Sequence, residues 1–186
     1  AAVTSVYGGA IVGNYSDNFG GGIYSAKSIK MQGGTIAYNV AKSNGGGIRL
    51  TTVGSIFGGT AQVFNNKAGG VNDNISFSNK NAYVSLGTGA SGNGVDVPVT
   101  GPNGMKIGIT QETGRIFAQN ADSQYQGCFV SDVDNRIIKC ADNAFKFIEG
   151  YSITNNKPEA SKQANYGYVK VDNGAAVGDI VTLTVM

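Results

Sequence analysis

"GGTIAYNVAKSNGGGIRL" (residues 33–50) is a near copy of "GGAIVGNYSDNFGGGIYS" (residues 8–25), and the relation between the two decides the fold. Glycine pairs recur at Gly8-Gly9, Gly33-Gly34 and Gly58-Gly59, in steps of 25, and the triplets Gly20 to Gly22 and Gly45 to Gly47 keep the same step. Apolar columns follow it: Val6, Met31 and Ile56; Ile11 and Ile36; Ile23 and Ile48. Asn14, Asn39 and Asn65 are spaced by 25 and then 26. A fixed period carried by several independent columns is the mark of a solenoid.

The segments between glycines name the kind of solenoid. "GAIVG", "GIYS", "SIKM", "GTIAY" and "GIRL" are short, β-branched or aromatic, and too brief for helices. Three short strands per 25-residue coil predict an all-β parallel β-helix. Corners between such strands need a left-handed backbone or close backbone approach, which glycine supplies. Asparagines at one corner of successive coils predict a side-chain ladder, here Asn14, Asn39 and Asn65.

The bulk numbers agree. The chain has 186 residues, 41% hydrophobic and only 14% charged, with 29 glycines, 3 prolines, no histidine and no tryptophan. High glycine without high proline argues against collagen and against a Pro-Gly disordered tract. A net charge of +2 without a basic run leaves no footprint for nucleic acid. No apolar run approaches the ~20 residues of a membrane span, so no membrane insertion is expected of this chain. "AAVTSVYGGA" carries no charged leader and opens straight into the repeat, which suggests a piece of a longer protein.

"GGTIAYN…GGGI" and "GGTAQVFNNKAGGVNDN" resemble the repeats of adhesin-like right-handed parallel β-helix proteins of bacteria, with related repeats in the polymorphic outer-membrane protein type of autotransporter. The likeness covers about residues 1–85 and loosens towards residue 148. It implies a right-handed β-helix at the cell surface or secreted, used for adhesion or display. The third copy departs from the pattern, with one residue inserted before Asn65 and the triplet reduced to "AGG". Terminal repeats are expected to be irregular because they cap the stack.

Three regions follow from this reading. Residues 1–86 are the coils. Residues 87–149 are a β-rich closing section, in which "CFVSDVDNRIIKC" predicts a hairpin over 128–140 that sets Cys128 opposite Cys140. Two such cysteines either bridge or remain small buried thiols; the export implied by the resemblance favours the disulfide. Residues 150–186 hold "GYSIT", "YGYVKV" and "DIVTLTV" and resemble a bacterial surface-protein repeat module, expected here to be small and incomplete.

Chemistry is hard to place on this chain. Without histidine there is no Ser-His-Asp or Cys-His arrangement. Asp17 and Asp73 are the only coil acids before residue 90, too few for the paired carboxylates of glycoside hydrolysis. "SDVDN" and "VNDN" lack the spacing of a calcium loop. No catalytic residue, metal site or cofactor is expected, and the chain is read as non-enzymatic. Binding remains. Tyr24 and Arg49 share a coil position, as do Tyr38 and Phe64, and these four form the candidate ligand face. The same columns are also what cross-strand stacking on a solenoid face produces, and the residues alone favour that plainer reading. The expected partner is a host or environmental glycan or protein, with edge-to-edge self-association through the first coil as a hazard. The alternative is a polysaccharide-binding or polysaccharide-degrading β-helix whose active part lies outside this piece.

Overall fold

A computed structural model describes residues 4–87, 104–134, 136–155 and 181–185. The chain is a parallel β-solenoid of about four turns. The first coil runs through β1 (Thr4–Val6), β2 (Ala10–Val12), β3 (Tyr15–Ser16) and β4 (Ile23–Ser25). The second repeats it in β5 (Ile29–Met31), β6 (Thr35–Ala37), β7 (Val40–Ala41) and β8 (Ile48–Leu50). Each coil therefore has four short strands, not three. The sequence reading missed the two-residue side made by β3 and β7, which is too short to leave an alternating pattern.

The third coil carries β9 (Ser55–Phe57), β10 (Gln62–Phe64), β11 (Lys67–Ala68), β12 (Val71–Asn72) and β13 (Ile75–Phe77). Stacking continues past residue 86 through β14 (Val84–Leu86), β15 (Lys106–Ile109), β16 (Ile116–Gln119) and β17 (Phe129–Ser131). Four sheets result, in the orders β1-β5-β9-β14-β16, β2-β6-β10-β15-β17, β3-β7-β11-β12 and β4-β8-β13. All their neighbours pair parallel except β11 with β12.

The interior is a set of columns. Ile11, Ile36, Val63 and Ile107 lie over one another on one side, and Ile23, Ile48 and Ile75 on another. Apart from Ile11 and Ile23 of the first coil, these side chains are fully buried. Each buried aliphatic side chain of this size stabilises the fold by about 1.5–3 kcal/mol. The third member of the Val6–Met31 column is Phe57, not Ile56, since Met31 pairs with Phe57 and Ile56 with Lys30.

The glycine triplets are where coils touch backbone to backbone. Gly20, Gly21 and Ile23 donate their N–H groups to the carbonyls of Asn44, Gly45 and Gly47 at 3.0, 3.0 and 2.9 Å. A Cβ on Gly21 would fall on the carbonyls of Gly46 and Val40, and one on Gly46 would fall within the Lys67 backbone. Only glycine fits there.

The closing section differs from its expected form. Strand β17 pairs parallel with β15, setting Phe129 beside Ile107. β18 (Arg136–Ala141) instead forms an antiparallel hairpin with β19 (Ala144–Glu149), which adds to the first sheet through β16. Asp142 and Asn143, both left-handed at φ 51° and 54°, make its two-residue turn. The hairpin over 128–140 is therefore not formed. Its near-symmetric sequence allows the pairing, but burial of Phe129 in the Ile107 column and of Phe145 and Phe147 in the core wins. Cys140 lies across from Phe145, Cys128 ends a short 3-10 helix (Ser123–Cys128), and both thiols are free. The expected disulfide is absent for that reason. Phe117, stacked on Phe147 at 4.3 Å and edge-on to Phe129 at 5.5 Å, helps close this end of the core.

In the last region β20 (Tyr151–Asn155) and β21 (Val181–Val185) pair antiparallel. "YGYVKV" lies outside the described residues.

Candidate functional site

Two features stand out from the scaffold: an aromatic–arginine cluster on the outer face, and a polar spine that runs through every coil.

The cluster grows from the register of β4, β8 and β13, which sets Tyr24 beside Arg49 and Arg49 beside Ser76. Strand alternation turns Ile23 and Ile48 inward and sends Tyr24 and Arg49 outward. Tyr24 is 55% exposed, whereas Arg49 is half-buried. Phe19, from the loop before the first glycine triplet, stacks on Tyr24 at 6.3 Å and lies 5.5 Å beneath the Arg49 guanidinium. Arg49 also donates to Ser76 Oγ at 3.0 Å. Its partial burial works against the positive charge, and the nearby Asp73 carboxylate offsets part of that cost. A guanidinium held over a ring and hydrogen-bonded at one nitrogen is pre-oriented, with donors left for a partner. Phe19 went unnoticed in the sequence because it lies outside the strands, although its five-residue separation from Tyr24 is the same as that of Asn44 from Arg49.

The other candidate pair has a different geometry. Phe64 is in register with Ala37, not with Tyr38. Tyr38 occupies the corner that Gly13 fills in the first coil and Asn65 in the third, all three left-handed at φ 67°, 57° and 53°. Tyr38 and Phe64 still meet edge-on at 6.0 Å, and Tyr38 is 61% exposed.

The spine follows that corner. Asn14 donates its backbone N–H and its side-chain amide to Asn39 Oδ1, at 3.0 and 2.9 Å. Asn39 does the same to Asn66 Oδ1 at 3.0 and 2.9 Å. Asn66 in turn gives both donors to Asn74 Oδ1 at 2.9 Å each. The third rung is therefore Asn66 and not Asn65, whose left-handed backbone directs it out of the stack. The two residues added to the third coil, before β9 and before β10, lengthen the step from Asn39 to 27 residues and so carry the rung past Asn65 to Asn66. Asn74 ends the series by donating to both oxygens of Asp132. Neither Asn74 nor Asp132 was readable as a rung, since Asn74 follows Asn66 by only eight residues and Asp132 by no repeat spacing at all.

Around the end of the spine two carboxylates flank Thr110. Its hydroxyl donates to Asp132 Oδ2 at 2.7 Å. Asp73 Oδ2 accepts from the Gly45 N–H at 2.9 Å, while its Oδ1 is buried with no partner among the described residues. Burial is the main cause that raises the pKa of both acids, with hydrogen bonds from Gly45, Thr110 and Asn74 acting the other way. These residues belong to "VNDN" and "SDVDN", so both stretches are built into the scaffold. No group of three or more acidic, cysteine or histidine residues suited to a metal ion occurs among the described residues.

No protein-family model, curated protein or solved structure matches this chain.

Proposed function

We propose that this chain is a non-catalytic display module of a bacterial adhesin-like protein, working at the cell surface or after secretion. In this reading the solenoid is a rigid support, and the Phe19–Tyr24–Arg49 cluster is the surface that meets a glycan or protein. The observation that carries it is the held guanidinium: Arg49 sits over Phe19 and bonds Ser76 beside an outward Tyr24. Aromatic and arginine side chains on a rigid base lose little freedom on binding, which is why they dominate recognition surfaces.

A screen of the whole chain against immobilised glycans and extracellular-matrix proteins, with the double variant Tyr24→Ala/Arg49→Ala beside it, tests the reading. Binding that the double variant loses, with an unchanged melting temperature, supports it. Binding that survives the double variant moves recognition to another face. Silence across the screen leaves the cluster as outer-face packing and removes the recognition role.

A further inference from the structure

The solenoid is notched where its third sheet stops. β11 and β12 fold back on each other through Gly69 and Gly70, both left-handed at φ 56° and 87°, so this sheet ends while the neighbouring sheet continues into β15 and β17. The space left beside β10 is a cavity of about 460 Å³ with Phe64, Asn65, Asn72, Lys106, Ser131 and Asp132 on its walls. That size lies within the range of small-molecule sites.

The walls have a definite chemistry. Phe64 offers an aromatic surface already braced edge-on by Tyr38. Asn65 and Asn72 are exposed, and their side-chain amides have no hydrogen-bond partner among the described residues. Each amide both donates and accepts, which suits hydroxyl groups. Asn65 faces outward because its left-handed backbone has passed the spine position to Asn66. The floor is fixed. Asp132 is held by Asn74 and Thr110, and Gly108 leaves the room that Asn74 needs, since a Cβ there would strike the Asn74 amide. One ammonium at Lys106 and one carboxylate at Asp132 oppose each other, so the notch favours neither an anion nor a cation.

The geometry points to a binding site for a neutral sugar ring in this notch, with its C–H face on Phe64 and its hydroxyls on Asn65 and Asn72. Alternating apolar faces and hydroxyl edges are what this combination of one ring and several amides recognises. The site is independent of the Phe19–Tyr24–Arg49 surface, and either can fail without the other.

The test is a titration of the ¹⁵N-labelled chain with cellotriose, xylotriose, mannotriose and chitotriose, each to about 20 mM, beyond the weak end of the affinity scale. The expected result is saturable shifts of the Asn65 and Asn72 side-chain amides with at least one probe. Asn72→Ala should weaken that binding about tenfold, roughly the loss of one well-made hydrogen bond, and Tyr24→Ala/Arg49→Ala should leave it unchanged. Phe64→Leu checks the ring, while Asn72→Ala, on an exposed residue, avoids any question of folding. No saturable shift with any neutral probe overturns the proposal. So does full binding in Asn72→Ala and Asn65→Ala, or a preference for trigalacturonate that Lys106→Gln abolishes.

Discussion

Asn74 gives its backbone N–H and its side-chain amide to the two oxygens of one carboxylate, that of Asp132, 58 residues further along the chain. This contact joins the third coil to the closing section and supplies the last acceptor of the spine. An asparagine there would bring its own amide donors to a place that asks only for acceptors. A carboxylate brings none.

Asp132→Ala is therefore expected to be among the most damaging single changes. It leaves two Asn74 donors without their acceptor at a buried site, about 2–4 kcal/mol in total, or a fall of roughly 5–15 °C in melting temperature for a chain of this size. Asp132→Asn should cost less, because one oxygen remains. Thermal unfolding followed by circular dichroism checks both; equal melting temperatures for Asp132→Ala and the parent chain would remove the end of the spine from the account of stability.

Neighbouring asparagines should behave oppositely. Asn66→Ala removes a buried rung that bonds the coils on both sides and is expected to cost about 2–4 kcal/mol. Asn65→Ala touches an exposed side chain and should stay within about 1 kcal/mol, the residual cost being its left-handed backbone. Asn14→Ala, on an exposed rung, should fall between them. Denaturant midpoints for the three variants rank the positions, and a larger loss at Asn65 than at Asn66 would contradict the spine.

The two buried acids set a pH dependence. Asp73 and Asp132 have folded pKa values raised above their unfolded ones, chiefly by burial. The stability they contribute is fully present below the unfolded carboxylate pKa and is lost as pH rises through the folded values. Melting temperature should thus fall as pH rises above about 4, and Asp73→Asn should flatten that slope. The reverse slope, unchanged by Asp73→Asn, would mean that burial does not raise the pKa of either acid.

The thiols are expected to differ. Burial pushes the Cys128 thiol up to about 11, so very little thiolate exists near neutral pH. Cys140 is only partly covered, with its thiol directed at the Ala121 carbonyl at 3.8 Å. A thiol reagent at neutral pH should label Cys140 first and Cys128 only on unfolding, giving two free thiols in denaturant. A count of zero there would restore the bridge.

Gly46→Ala asks whether the glycine triplets are structural. The added methyl would overlap the Lys67 backbone, which cannot move aside without opening the stack. Destabilisation of about 3 kcal/mol or more is expected, well above the ordinary effect of a point substitution. Gly8→Ala meets open space and should be nearly neutral.

Much of this was legible because the first two coils keep one register throughout, from Thr4 beside Ile29 to Ile23 beside Ile48. The period, the inward columns, the Tyr24–Arg49 pairing and the first two spine residues could all be read from it. Errors begin where the register slips: Ile56 for Phe57 and Asn65 for Asn66 are each one residue short. An insertion at a corner costs a solenoid little, since loop closure depends weakly on length, but it breaks a count made on spacing. The Cys128–Cys140 pairing failed for another reason. Local symmetry ranks nearby partners, whereas β17 found its partner in β15 through burial. Asp132 left no trace in the sequence because its partner is distant and its role is to end a series, not to repeat it.

The spine also has a direction. Every rung donates to the side-chain oxygen of the next, from Asn14 down to Asp132, and only the second amide hydrogens of Asn39 and Asn66 turn back, to the backbone carbonyls of Ile11 and Ile36. A coil closer to Asp132 thus presents a finished acceptor to the coil before it, as a template does for a copy. The first coil has such a template beneath it in Asn39 and offers its own to nothing among the described residues. Order should then spread through the stack from the Asp132 end, with the first coil the last to settle and the first to fray. Amide hydrogen exchange would read this as protection rising from β1 to β10.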